Sequence, residues 1–243
     1  MNELNEKQAQ AVVDGILEGY RNYLQERKEK KKTMLVSHGY SFTKGNHIDN
    51  SVASYLTELI EKKDIRTTSG GWQYIKFTFM NDKRCFFIVK SASRVNLTVK
   101  NNSKASNYLI ECAEEINNEW IKEERLKYHF KQEQNFGIQL DMFDICDSEK
   151  LKEVKNSKEY DRFYLVIYET NSLKLITKIK LVALDPETRD LILMQDLSSF
   201  IQSSTIEITT EEASIIYGDE EKFDEDNNYN YSIPAALKPE NDS

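Results

Sequence analysis

Lys90, near the end of FFIVKSASR, stands where a metal-dependent nuclease of the restriction-enzyme type would carry its lysine, but Ile88 fills the place of the required carboxylate. Such an enzyme needs an acidic residue and, on a nearby strand, an acid-x-Lys pair that together hold the metal and activate water. The run RFYLVIYE ends in Glu169, with Asn171 where lysine is needed. A migrated lysine would leave Asp161, Glu169 and either Lys174 or Lys178 as the working set; otherwise Lys90 and Glu169 are exposed strand ends. His38, His47 and His129 pair with no cysteine at a zinc spacing. Ser37-His38 lies in no Gly-x-Ser-x-Gly elbow, and the 8 glycines are scattered, with Gly70-Gly71 alone, so no phosphate-binding loop is expected. No metal site and no cofactor is expected. Cys85, Cys112 and Cys146 are odd in number and widely spaced, which predicts free thiols and a reducing compartment.

Aromatic and basic residues alternate between positions 72 and 94. Trp72, Tyr74, Phe77, Phe79, Phe86 and Phe87 stand among Lys76, Lys83, Arg84, Lys90 and Arg94. A sheet presenting both kinds of group could stack single-stranded bases, with Lys76, Arg84, Lys90 and Arg94 contacting phosphates. The same pattern also describes a buried aromatic face with lysines on the wet face. Ile75, Phe77 and Phe79 are expected inside, and Trp72, Tyr74, Lys76, Thr78 and Met80 partly outside.

Residues 139–143 read Gln139-Leu140-Asp141-Met142-Phe143. This peptide resembles the short motif by which bacterial polymerases and repair proteins hold the replication sliding clamp, whose pattern is Gln, Leu, Ser or Asp, Leu, Phe. Met142 departs from the usual Leu, a mild change between unbranched and branched apolar chains of similar volume. The resemblance spans five residues and implies no fold for the rest, which looks generally like proteins of bacterial and phage genomes. It implies Gln139 as polar anchor and Leu140, Met142 and Phe143 as apolar anchors, with the replication sliding clamp as partner. A second reading stays open, because Ile138, Leu140, Met142 and Ile145 also alternate as a strand covering a core would.

The elements that would carry these residues follow from periodicity. Ala9, Val12, Val13, Ile16, Tyr20 and Tyr23 predict a helix from Asn5 to about Lys32. After a polar loop, Val52, Tyr55, Leu56, Leu59 and Ile60 predict a second helix over 49–63, capped by Asp49 or Asn50. WQYIKFTFM and CFFIVKS, joined by Asn81-Asp82-Lys83-Arg84, predict a hairpin. Residues 96–107 read as a connector and 107–134 as a long helix, with a short helix over 148–156. Strands are expected at RFYLVIYE, LKLITKIKLVAL and DLILM, and a last one over 205–209.

The expected class is α+β: a helical and β-hairpin half (1–134), an exposed linker with the docking peptide (135–147), an antiparallel β-meander (148–217) and a disordered acidic tail (218–243). Hydrophobic residues make up 39% of the 243 and aromatics 11%, enough for a substantial core. The net charge of −8 disfavours indiscriminate nucleic-acid binding but hides an asymmetry. Residues 21–32 carry six basic groups against two acidic, and 219–226 six acidic against one lysine. No apolar stretch reaches membrane-spanning length and no signal pattern follows Met1, so a cytoplasmic location is expected. Two functions remain: a non-enzymatic protein that docks on the sliding clamp in DNA replication, repair or phage–host competition, or a diverged nuclease or other nucleic-acid-processing enzyme.

Overall fold

The computed structural model describes residues 3–67, 73–100, 108–125 and 159–217. The predicted peptide at 139–143, the helix over 148–156, Trp72, His129, Cys146 and the acidic tail lie outside them. The first helix, α1 (Glu6–Thr33), starts where Asn5 and Gln8 form a capping box, and its last turn carries Lys30, Lys31 and Lys32. A 3-10 turn (His38–Thr43) leads into α2 (Lys44–Tyr55). Strands β1 (Lys62–Thr67), β2 (Gln73–Met80) and β3 (Arg84–Ser91) follow, then α3 (Ala92–Lys100). Helix α4 begins at Tyr108–Cys112, loosens into a π turn at Ala113–Asn117 and continues helically through 118–125. Strands β4 (Arg162–Thr170), β5 (Ile176–Leu184) and β6 (Leu191–Asp196) complete the sheet. Two short helical turns, Ser199–Ser203 and Thr210–Ala213, return toward α1.

The six strands form one sheet in chain order, antiparallel throughout except where β3 and β4 run parallel. The hairpin of the first half and the meander of the second are therefore joined edge to edge, with α3 and α4 in the crossover. Central strands are apolar on both faces because both faces are covered. Phe87 and Val89 of β3, with Tyr164 and Val166 of β4, join the cluster beneath α1 and α2. Phe86 and Ile88, with Phe163 and Leu165, join the cluster beneath α3 and α4. Asn117, fully buried in the π turn, latches the second layer to the sheet. Its amide donates to the carbonyls of Phe163 (2.9 Å) and Leu184 (3.1 Å), and its oxygen accepts from Phe163 N–H (2.9 Å) and Trp120 Nε1 (3.0 Å).

Four expectations are corrected. Helix α2 starts at Lys44 and ends at Tyr55, so Asp49 sits inside it and caps nothing. Residues 62–67 are a strand: Lys62, Lys63, Asp64 and Arg66 suit a charged edge and leave only Ile65, 69% exposed, to betray a strand. Residues 92–100 are helical where a connector was expected to begin at 96, because Ala92, Val95 and Val99 bury one stripe against β3 and β4 despite their polar neighbours. Residues 205–209 are not a strand; they lead to the Thr209–Glu212 capping box.

Candidate functional site

Two glycines set the site's depth. Gly15 and Gly19 lie four apart on α1, on the face against α2. A methyl group on Gly19 would meet Ile48 Cα at 2.5 Å and the His47 carbonyl oxygen at 2.6 Å; one on Gly15 would meet Val52 Cα at 2.6 Å. Only the missing Cβ atoms let the two backbones touch. A polar clip fixes the same crossing: Glu26 of α1 receives His47 (2.7 Å) and the Thr43 hydroxyl (3.1 Å). The His47 hydrogen bond holds the Glu26 carboxyl below its ordinary range.

Seated this way, α2 directs Asp49 at an opening in the sheet. The β2–β3 ladder stops at Phe77↔Phe87, so residues 73–76 pair with β1 alone while 88–91 pair with β4 alone. Asp49, only 6% exposed, accepts a hydrogen bond there from the Ile75 backbone N–H. Burial pushes its carboxyl up from 3.8 to about 6, even though the Lys90 charge and the Ile75 hydrogen bond pull the other way. Burial likewise lowers Lys90, with Asp49 opposing. The Lys90 ammonium stands 5.9 Å from the Tyr74 ring centre, and Tyr74 stacks on Tyr108 at 4.8 Å. Desolvation raises both phenols and drives the Cys112 thiol up to about 11. An acid titrating near neutrality and influenced by the Lys90 charge is equipped for proton transfer.

The migrated-lysine set does not assemble. Asp161 accepts from the Arg84 backbone N–H at one end of β4, and Glu169 at the other end pairs with Lys178 (3.5 Å) and Lys180 (3.3 Å). Eight residues of strand separate them by roughly 26 Å. Among the described residues no three His, Cys, Asp or Glu side chains converge as a metal centre. Nor do the aromatics form a stacking platform: Phe77, Phe79, Phe86 and Phe87 are buried, and Thr78 as well. The basic residues spread out. Lys76 lies over the Phe86 and Tyr160 rings, Arg84 pairs with Glu61, Lys90 stands near the Tyr74 ring, and Arg94 is exposed on α3. Cys85 and Cys112 are free, and burial lifts the Cys85 thiol to about 12. Among the described residues no helix is long and apolar enough to cross a membrane.

Comparison of the chain with known protein families, with curated proteins and with solved structures finds no match. Asp49 is the site residue that sequence reasoning misassigned. Ile48, Ser51 and Val52 are buried around it, which places the carboxylate on the inner stripe of the helix rather than at its cap.

Proposed function

We propose that the chain is an interaction protein that docks on the bacterial replication sliding clamp through Gln139-Leu140-Asp141-Met142-Phe143. The observation that carries this reading is the peptide itself, four letters of which match the clamp-binding pattern. Gln139 is the polar anchor; Leu140, Met142 and Phe143 fill the apolar cleft, and Asp141 takes the small or acidic position. The described residues support the reading indirectly. They cover both faces of the sheet with two apolar clusters of their own. The connection that contains the peptide departs after Arg125, held by Asp185 and Glu187, and returns at Glu159, which is exposed. Docking would place the protein in DNA replication, repair or phage–host competition. The test is the pair Leu140→Ala with Phe143→Ala, assayed against purified clamp and by chemical denaturation. Truncating two anchors should cost about 2 kcal/mol or more of binding and leave the unfolding midpoint in place. An unstable variant whose parent never bound the clamp would sink the proposal.

A second reading, a nucleic-acid-processing enzyme, has one observation in its favour: α2 buries a carboxylate, Asp49, whose titration the Lys90 charge influences. Asp49→Asn and Lys90→Ala should then each abolish cleavage or modification of DNA or RNA by a folded protein. Turnover unaffected by either change removes this reading.

A further inference from the structure

The basic end of α1 and the chain's exit from the fold lie side by side. Lys28, Lys31 and Lys32 are exposed around Glu29, the sole acid of residues 27–32. Immediately beyond, Leu35 and Val36 project into solvent at 106% and 80% exposure. The Lys31 ammonium donates to the carbonyl of Ile215, so the last described residue, Tyr217, stands two positions from the basic turn. The next residues, Asp219-Glu220-Glu221-Lys222-Phe223-Asp224-Glu225-Asp226, carry six acids, one lysine and one phenylalanine. Nine residues reach at most about 30 Å, so the whole acidic run is within range of Lys28, Lys32, Leu35 and Val36.

We propose that residues 219–226 dock in cis on the surface formed by Lys28, Lys32, Leu35 and Val36, and shield it from other polyanions. Charge complementarity selects the occupant: two runs of three acids meet exposed lysines, and Phe223 supplies an apolar group for the two protruding side chains. Tethering makes a weak contact sufficient, because a short link holds the segment at an effective concentration on the order of millimolar. The composition of the segment cannot fold alone, but ordering a few residues against a preformed surface requires no core. This proposal is independent of clamp docking and of the Asp49–Lys90 pair.

The experiment is lysine acetylation of the full chain, read by mass spectrometry, with Lys62 and Lys178 as internal controls. Neutralising the run (Asp219→Asn, Glu220→Gln, Glu221→Gln, Asp224→Asn, Glu225→Gln, Asp226→Asn) should raise the reactivity of Lys28 and Lys32 about threefold, as for a surface covered most of the time at millimolar effective concentration. High salt should do the same to the wild type. Leu35→Ser with Val36→Ser, harmless to the fold at such exposure, should give a smaller rise. Reactivity unchanged by neutralisation overturns the proposal, as does an equal rise at the control lysines, which marks nonspecific screening. Protection that vanishes on dilution also overturns it, because the contact would then be between chains.

Discussion

Replacing Asp49 by Asn removes a charge while keeping an oxygen for the Ile75 N–H. The carboxyl titrates at about 6 in the folded protein against 3.8 for a free aspartate. A difference of about two units corresponds to ~3 kcal/mol. Because the folded value is raised, the native state binds the extra proton between these two values, and stability falls as pH rises through that window. Well below pH 3.8 both states are protonated and the group costs nothing; above about pH 7 the full ~3 kcal/mol is lost. The Lys90 attraction is already contained in that value, since it is one of the influences that hold Asp49 down. Urea denaturation of wild type and Asp49→Asn at pH 4 and pH 7.5 isolates the effect, because any shape penalty of Asn appears at both pH values and cancels. The variant should gain about 2–3 kcal/mol on the wild type between the two. A difference that stays flat, or one that turns against the variant as pH rises, would refute the claim that a poorly compensated carboxylate is buried there. Lys90→Met in the wild-type background should raise the Asp49 carboxyl further and steepen the wild-type pH dependence.

Gly19→Ala forces a methyl group against Ile48 Cα and should destabilise by about 1–3 kcal/mol, with the pH dependence of Asp49 weakened as α2 lifts; thermal and pH-resolved denaturation report both. Phe77→Ala removes a fully buried ring stacked on Phe87 at 5.0 Å and should cost about 3–5 kcal/mol by chemical denaturation; soluble protein of unchanged midpoint would contradict the assigned register. Asn117→Ala strands the Phe163 and Leu184 groups that the amide satisfies and should cost about 3 kcal/mol or more, with hydrogen exchange rising first at Phe163.

Long periodic elements were legible in the chain because burial there follows one simple rule. The α1 stripe, the β2–β3 hairpin and strands β4 to β6 fall close to where periodicity and turn chemistry placed them. Elements whose identity depends on a distant partner were not legible. KKDIRT becomes a strand because β2 offers an edge, and ASRVNLTVK becomes a helix because an apolar sheet face lies beneath Val95 and Val99. The candidate site has the same character. Asp49 acquires its chemistry from Gly15 and Gly19, some thirty residues away, and from an interruption in a ladder that leaves no local signature. Lys90 was singled out by the acid-x-Lys pattern that Ile88 breaks, but the carboxylate that influences it belongs to a helix rather than to the position two residues upstream.

Substitutions at different residues make the competing functions separable by experiment. Arg84, at the start of β3, lies beside Asp161, near the return of the connection that carries the clamp-like peptide. Lys90 lies six residues further on, roughly 20 Å along the strand, at the end where the sheet opens toward Asp49. Sites that share no partner act additively, so combining the substitutions in one chain tests whether the two readings are independent. If they are independent, Asp49→Asn leaves clamp affinity untouched, and Leu140→Ala with Phe143→Ala leaves the pH dependence of stability untouched. Asparagine can satisfy the Ile75 N–H without a buried charge, so the hydrogen bond alone does not account for a carboxylate at position 49. If the quadruple comparison shows additivity and Asp49→Asn is more stable above pH 7, the carboxylate serves something other than the fold, and enzymatic assays belong at that end of the sheet. If Asp49→Asn also weakens clamp binding, the buried carboxylate and the peptide are coupled, and the two readings are not independent.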